Sequence, residues 1–234
     1  MALNKETFRL RALTSLVFVA VMLVGLLVNE WTFLALFTLI HFGCWYEFIK
    51  LLKRIYVTRF FPYLFTGLVY ITMPILMLVD LRTTLFDLRG LGKDFSFGVT
   101  IPLLIICSIW VNDTMAYLVG SFIGKTPFSK ISPKKTWEGT MGGAILCVVA
   151  IGFIFPLIAE RFFVPLEHRY TYFIIAGICA VFGTLGDLLE SKLKRMASVK
   201  DSGNIMPGHG GFLDRFDSLL VATPFVWLYL EFFV

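Results

Sequence analysis

Seven apolar stretches, each close to the length that crosses a bilayer, limit what this chain can fold into. They lie at about 10–28, 32–52, 61–80, 98–120, 140–158, 171–189 and 215–233. A transmembrane helix needs about 20 mostly apolar residues, whereas strands of a membrane barrel would alternate over about ten residues. Only 16% of the 234 residues are charged and the mean hydropathy is +0.82, while soluble domains carry about 25% charged residues. The sequence therefore predicts an all-α, polytopic transmembrane helix bundle with about seven spans.

The positive charges are distributed unevenly between alternate loops. Sixteen of the 21 Lys and Arg residues lie at the N-terminus and in segments 50–60, 121–139 and 190–215. Because cytoplasmic loops are enriched in Lys and Arg, we expect a cytoplasmic N-terminus and both loops 121–139 and 190–215 on the cytoplasmic side. We further expect a transmembrane scaffold at 1–97, containing spans 1–3, and a catalytic transmembrane region at 98–234 that carries these two loops.

Asp113 is an ionisable residue inside the fourth apolar stretch. It lies about seven residues from the cytoplasmic end of that span, which corresponds to a depth of about 10 Å. An ionisable group at that depth costs about 2.5–3.5 kcal/mol on insertion scales, so it is a candidate functional residue. The alternative is a structural carboxylate paired with a buried lysine or hydroxyl.

The loop at 121–139 combines four lysines with several hydroxyl groups and one glutamate. Lysines act as point-charge partners for phosphate, and hydroxyls donate to phosphate oxygens. A generic basic loop that binds anionic head groups is the alternative, but the Pro and Gly in Ser132-Pro133-Lys134-Lys135-Thr136-Trp137-Glu138-Gly139 give this loop a defined shape. Gly142 and Gly143, which follow, favour close packing of the next helix.

Carboxylates recur with helical spacing at the ends of the last two spans. Asp187, Glu190 and Ser191 share one helix face, and Asp214 and Asp217 have the same i, i+3 relation. Oxygen ligands of this kind suit Mg²⁺, which binds through one or two carboxylates together with substrate phosphates. The alternative is a set of charges at helix ends. It explains acids at a helix N-terminus but not Asp187, which lies toward a C-terminus.

A glycine-rich turn, Pro207-Gly208-His209-Gly210-Gly211, precedes the last span. Glycines let the backbone approach an anion, and the N-terminus of the following helix supplies N–H donors. His209 either donates to phosphate or braces the turn. The turn alone is a weak indication of phosphate binding.

These residues together resemble a known family. Segment 191–217 contains Ser191-Lys192-Leu193-Lys194-Arg195, Lys200-Asp201-Ser202-Gly203 and the run from Met206 to Asp217. It closely resembles the signature of the phosphatidate cytidylyltransferases (CDP-diacylglycerol synthases), as do 132–139 and Gly186-Asp187. The resemblance covers about 108–220. Met206 stands where the family usually has Ile or Leu, which is a volume-conserving difference.

The resemblance implies a reaction of CTP with phosphatidate that gives CDP-diacylglycerol and pyrophosphate with Mg²⁺. It also implies that the carboxylates surround metal and that lysines of both loops contribute to the site. The expected catalytic residues are Asp187, Asp214, Asp217, Lys134, Lys135 and Lys194. The three aspartates are also the expected metal ligands, and Asp113 either adds a second cation site or orients a lysine. The expected substrate-binding residues are Ser132, Thr136, Glu138, Ser191, Lys192, Arg195, Lys200, Asp201, His209, Gly210, Gly211 and Arg215.

The expected partners are CTP, phosphatidate and membrane lipids, with a homodimer as a candidate assembly and no nucleic acid. The expected location is a bacterial plasma (inner) membrane, with the active site facing the cytoplasm. Two other functions stay open. A CTP-dependent lipid-alcohol kinase would move the γ-phosphate to an alcohol, and an ion-coupled transporter would use Asp113 and Asp187 within the membrane.

Overall fold

The chain is helical throughout nearly all of the part that its computed structural model describes, which comprises residues 5–83, 98–204 and 210–234, with side chains described from Leu13 onward. The prediction of an all-α fold is confirmed, since these residues contain no β-strand beyond a single isolated bridge. The α-helices are α1 (Lys5–Leu27), α2 (Glu30–Tyr56), α3 (Leu64–Gly67), α4 (Met73–Arg82), α5 (Thr100–Ile123), α6 (Trp137–Phe162), α7 (Tyr170–Met196) and α8 (Leu213–Phe233).

The predicted apolar stretches all coincide with helices. Among the described residues, six helical stretches are long and apolar enough to cross a membrane, and Leu13–Leu27 is a shorter apolar helix. One of the six, Phe61–Arg82, is continuous but irregular, because a 3-10 turn (Phe61–Tyr63) and a π-helical turn (Leu68–Thr72) flank α3. A polytopic helical membrane protein is therefore confirmed. The cytoplasmic N-terminus stays a prediction.

The described chain separates into two compact units. The first unit comprises Met1–Thr72 and Leu193–Phe216, and the second comprises Met73–Lys192 and Asp217–Val234. Helices α7 and α8 each contribute residues to both units. The functional division predicted at residue 97 concerns the role of each region rather than its packing, and it stays a prediction.

The first unit is built around one apolar face of α2. Phe33, Phe37, Ile40 and Cys44 are completely or almost completely buried, with the i, i+4, i+7 spacing of a helix face. The rings of Phe33 and Phe37 have centroids 4.6 Å apart. This face fixes α2 within the unit, and Glu47 follows on the same side one turn later.

The second unit depends on close helix contacts at small residues. A Cβ atom added to Gly143 of α6 would lie 2.5 Å from the backbone nitrogen of Ala116 in α5, and one added to Gly142 would lie 2.7 Å from Val119 Cγ1. The predicted close packing at Gly142 and Gly143 is confirmed. Because α5 and α6 nearly touch at their backbones, the loop between them is held close to the start of α6.

Candidate active site

Three carboxylates from α7 and α8 lie together in the second unit. Asp187, Glu190 and Asp217 each offer an oxygen, and these oxygens all lie within 4.8 Å of one another. Glu190 is completely buried and Asp217 is 6% exposed, whereas the Asp187 side chain is 30% exposed. Of the three predicted aspartates, the structure brings Asp187 and Asp217 into this group, and Glu190 is its third acid.

Helix geometry and one glycine account for this acid group. Asp187 and Glu190 are one turn apart and project from the same face of α7. Gly186 precedes them, and a Cβ atom at that position would lie 2.5 Å from the backbone oxygen of Asp217. The missing side chain of Gly186 therefore lets the first part of α8 approach α7 closely enough to bring Asp217 to Asp187.

Positive charge and hydrogen-bond donors surround the acids. The Lys135 ammonium forms an ion pair with Asp187 Oδ2, and the Ser191 hydroxyl donates to Asp187 Oδ1 at 3.3 Å. The backbone N–H of Ser218 donates to Asp217 Oδ1 at 2.6 Å. Predicted residues from two separate segments, Lys135 and Asp187, are thus in direct contact.

A cavity of about 460 Å³ opens beside Asp187 in the second unit. Asn112 is 3% exposed, and its Oδ1 has no hydrogen-bond partner among the described residues. Because a buried polar atom is costly to leave unsatisfied, this oxygen is an acceptor that a donor from a water or ligand would satisfy. The polar residues that line the cavity are Asn112, Asp113, Tyr117, Ser121, Ser132, Lys134, Lys135, Thr136, Thr140, Thr184 and Asp187.

The loop before α6 is held in shape by its own polar groups. Glu138 accepts hydrogen bonds from the backbone N–H groups of Lys125 and Thr126 at 3.1 Å and from the Thr126 hydroxyl at 2.8 Å. Thr136 caps α6 by accepting from the Gly139 N–H at 3.1 Å. Glu138 was predicted to bind substrate. In the structure its carboxylate organises the loop that presents Lys134 and Lys135.

A second polar group lies in the first unit around Asp214. Asp214 Oδ1 accepts from Lys194 Nζ at 2.6 Å. Its other oxygen, Oδ2, accepts from the backbone N–H groups of Ser202 and Gly211, both at 2.9 Å. Two residues predicted to be catalytic, Asp214 and Lys194, are therefore partners of each other. The role of Asp214 as a metal ligand stays a prediction.

Glu47, which we did not predict as a site residue, joins this second group. It was assigned to the scaffold because its span is otherwise apolar. Its oxygens accept from Ser202 Oγ at 2.7 Å and from the N–H groups of Phe212 and Leu213 at 3.0 and 2.9 Å. The cost of placing an acid inside a span could have identified Glu47 as a candidate, since the same argument identifies Asp113.

The remaining predicted residues lie in different surroundings. His209 lies outside the described residues. Gly210 has a φ of +84°, which favours glycine, and an added Cβ atom would lie 2.7 Å from Asp214 Oδ2. Asp201 lines a polar recess of about 110 Å³ in the first unit together with Lys50 and Arg54. Five of the charged residues predicted to bind substrate are exposed: Lys192, Arg195, Lys200, Asp201 and Arg215.

Comparison with known proteins decides the family of this chain. The sequence profile of the cytidylyltransferase family matches residues 71–233. The chain belongs to the cytidylyltransferase family. It is accordingly a nucleotidyltransferase, and the resemblance noted in its sequence is confirmed.

Three relatives illustrate the extent of the similarity, and all three bear the name phosphatidate cytidylyltransferase. The protein of Bacillus subtilis is 44% identical over 148 residues, which cover 63% of this chain and 52% of that protein. The protein of Rickettsia felis is 33% identical over 228 residues, covering 96% and 92%. The protein of Haemophilus influenzae is 42% identical over 139 residues, covering 58% and 47%. This cytidylyltransferase thus spans about half the length of two of these relatives and nearly all of the third.

The donor set of the acid group fits a hard divalent cation. Carboxylate oxygens are the ligands that Mg²⁺ takes in nucleotide-handling sites, usually one or two of them with substrate phosphates and water. Asp187, Glu190 and Asp217 offer such oxygens, and the adjacent cavity has room for a phosphate chain. Among the described residues of this cytidylyltransferase, these three form a group that could hold a metal ion.

Proposed function

We propose that this chain transfers the cytidylyl group of CTP to phosphatidate, giving CDP-diacylglycerol and pyrophosphate. The observation that carries the proposal is the contact of Lys135 with Asp187 beside the acid group, at the edge of a polar cavity. This combination of carboxylates and lysine is what a reaction between two phosphate-bearing substrates requires. The names of the relatives agree with phosphatidate as the acceptor.

The reaction needs little acid–base chemistry. A phosphate oxygen of phosphatidate attacks the α-phosphorus of CTP, and a new P–O bond forms there. The bond between the α-phosphorus and the oxygen that bridges to the β-phosphorus breaks, and pyrophosphate leaves with that oxygen. Because the attacking oxygen is already anionic at neutral pH, no strong general base is required. The barrier is mainly repulsion between anions and the charge on the departing pyrophosphate.

The lysines of the site lower that barrier electrostatically. Lys135 is fixed by Asp187, so its ammonium is positioned in advance rather than recruited during the reaction. Lys134 lines the same cavity and is exposed to it. In the first unit, Lys194 is fixed by Asp214 in the same way. We assign these lysines, together with Lys192, Arg195 and Lys200, to binding of the CTP phosphates and of the lipid head group.

A bound Mg²⁺ would supply charge neutralisation at the α-phosphate and at the leaving pyrophosphate. Asp187, Glu190 and Asp217 of the second unit are its proposed ligands. The role of Asp214 as a metal ligand stays a prediction from the sequence. Asp113 lines the cavity and either helps to hold a second cation or orients a lysine. Ser132 and Thr136, which also line the cavity, are proposed to donate to phosphate oxygens.

We place the reaction at the cytoplasmic face of a bacterial plasma membrane, where CTP is available. Relatives from three bacteria and the six candidate spans support a bacterial membrane protein. The distribution of Lys and Arg supports the cytoplasmic side. A homodimer stays a candidate assembly.

The acceptor and the product distinguish this proposal from the two alternatives. Purified protein in phosphatidate-containing vesicles is expected to release pyrophosphate from CTP, and to release none when a lipid alcohol replaces phosphatidate. Release of CDP with the lipid alcohol would instead indicate a CTP-dependent kinase. No consumption of CTP with either acceptor, in protein that is folded, would contradict both enzymes and leave ion transport to be measured.

A further inference from the structure

Glu47 is a completely buried acid in the middle of α2. It follows the apolar face of Phe33, Phe37, Ile40 and Cys44 that forms the core of the first unit. Burial of a carboxylate among apolar residues is costly unless several donors compensate it. A buried carboxylate of this kind fixes the groups that donate hydrogen bonds to it, which an apolar side chain could not do.

The compensation for Glu47 comes from the segment that leads into α8. Glu47 Oε1 accepts from the Phe212 N–H at 3.0 Å, and Oε2 accepts from the Leu213 N–H at 2.9 Å. These are among the N–H groups at a helix start that have no partner within the helix, and a negative charge is favourable there. Glu47 thus caps α8 from a position 165 residues earlier in the chain.

The fit around the Glu47 carboxylate leaves no room for additional side-chain atoms. A Cβ atom added to Gly203 would collide with Glu47 Oε1, and one added to Gly211 would collide with both carboxylate oxygens. The two glycines therefore let the backbone approach Glu47 directly. Glycine at these positions is explained by a protein carboxylate rather than by an external anion.

Ser202 connects Glu47 to Asp214. Its hydroxyl lies 2.7 Å from Glu47 Oε2 and 2.9 Å from Asp214 Oδ2, and it can donate to either. Asp214 in turn fixes Lys194, whose side chain is only 13% exposed. A continuous network of hydrogen bonds thus runs from the middle of α2 to a lysine that we assign to phosphate binding.

Further along α2, two cationic side chains lie close to Ser202 and Gly203. Lys50 and Arg54, which follow Glu47 at i+3 and i+7, line the polar recess of about 110 Å³ with Ser202 and Gly203. The spacing places both on the helix face that carries Glu47. This part of α2 therefore carries both the acid that binds the start of α8 and two cationic side chains near Ser202 and Gly203.

We propose that Glu47 is a positioning residue for nucleotide binding: it fixes the start of α8 and Ser202, and through them the Asp214–Lys194 pair. This inference rests on the proposed function for its kinetic consequence, whereas its structural consequence does not depend on that function. It makes α2 part of the nucleotide-binding apparatus instead of scaffold alone.

The variant Glu47→Gln tests the proposal, because it keeps the shape of the side chain and removes its charge. One carboxylate oxygen becomes an NH₂ group that faces N–H or hydroxyl donors. We expect the Michaelis constant for CTP to rise about tenfold, the loss that one charge-assisted hydrogen bond predicts, with a smaller change in kcat. We also expect faster hydrogen exchange of the backbone amides of Phe212 and Leu213.

Asp80→Asn is the matched control. Asp80 is a buried acid in a span of the second unit, 1% exposed, and accepts from Trp227 Nε1 at 2.7 Å. Its substitution removes a buried charge without touching the network around Glu47. In this control variant we expect a purely structural loss. The amount of active enzyme, and therefore kcat, should fall, while the Michaelis constant for CTP should not change.

Two results would overturn the proposal. One is an unchanged Michaelis constant for CTP in Glu47→Gln, with or without a loss of kcat like that of Asp80→Asn. The other is unchanged exchange at Phe212 and Leu213. If Glu47→Gln does not fold, Ser202→Ala removes the hydroxyl bridge alone, and an unchanged Michaelis constant there overturns the proposal as well. Failure of the wild-type protein to release pyrophosphate would instead refute the proposed function, and the exchange measurement would still decide the role of Glu47.

Discussion

Asp187 lies next to one cationic and two anionic side chains. Lys135 forms an ion pair with one of its oxygens, while Glu190 and Asp217 bring two further acids within 4.8 Å. Three carboxylates so close together repel one another unless protons or cations compensate them. Lys135 supplies one positive charge, and a divalent cation bound by these oxygens would supply more. The acid group therefore supports Mg²⁺ as the metal ion of the proposed reaction.

Asp217→Asn tests the metal assignment at the buried end of the acid group. The substitution preserves side-chain volume and removes one anionic ligand, so we expect kcat/KM to fall about 100-fold or more. We also expect a higher Mg²⁺ concentration for half-maximal activity. The amount of folded protein in the membrane should match the wild type. Activity within threefold of the wild type at low Mg²⁺ would show that Asp217 is not a ligand.

Lys135→Gln tests whether the charge next to Asp187 serves the nucleotide. We expect kcat/KM for CTP to fall roughly 10- to 100-fold, as for loss of a charge-assisted contact to phosphate. Lys130→Gln removes the same charge from the same loop at an exposed position that does not line the cavity. Steady-state kinetics should show a much smaller change for Lys130→Gln, and equal losses in both variants would mean that only the general charge of the loop matters.

At the scale of elements, contacts between helices determine whether the acids can meet. Gly186 allows the backbone of α8 to approach α7 at Asp217, and Gly143 allows α6 to approach α5. Because interiors are closely packed, a methyl group at either contact must displace a helix rather than fill a void. The helix contacts at these two glycines therefore belong to the site.

Gly186→Ala should move α8 away from Asp187. We expect a loss of stability of about 1–3 kcal/mol from overpacking, accompanied by a large loss of activity. Gly177→Ala is the control on the same helix, because its added methyl group would meet its nearest neighbour at 3.9 Å. That variant should keep its activity and gain up to about 1 kcal/mol from helix propensity. Thermal unfolding in detergent, with activity measured in parallel, compares the two, and equal behaviour would refute the role of Gly186.

The sequence predicts the helices of this chain well, but it predicts the contacts between distant residues only in part. Apolar length was sufficient for the spans, and the i, i+3 spacing was sufficient to put Asp187 and Glu190 on one face. The same spacing could not show that Glu190 lies next to Asp217. That proximity depends on the close approach of α8 to α7 at Gly186. Glu47 was not predicted as a site residue because two of its three donors are backbone N–H groups, which leave no pattern in the sequence.

At the scale of the whole molecule, the distribution of charge predicts which side of the membrane each loop faces. Lys130 lies in the lysine-rich loop at 121–139, and Glu167 lies in the loop at 159–170, which has few positive charges. Both residues are exposed. If the cytoplasmic loops are those rich in Lys and Arg, these two positions lie on opposite sides.

Single cysteines at these positions test the topology. In intact cells an impermeant maleimide should label Glu167→Cys and leave Lys130→Cys unlabelled until the membrane is opened. The reverse pattern would invert the proposed orientation and place the cavity outside. The background for both variants replaces the native cysteines Cys44, Cys107, Cys147 and Cys179.

The fate of the individual phosphates of CTP distinguishes cytidylyl transfer from transfer of the γ-phosphate. CTP labelled in turn at the α- and γ-phosphorus is supplied to the purified protein with phosphatidate vesicles and Mg²⁺. We expect the α-label to enter the lipid fraction and the γ-label to appear in pyrophosphate, in equal amounts. The γ-label in lipid, with the α-label in CDP, would contradict cytidylyl transfer.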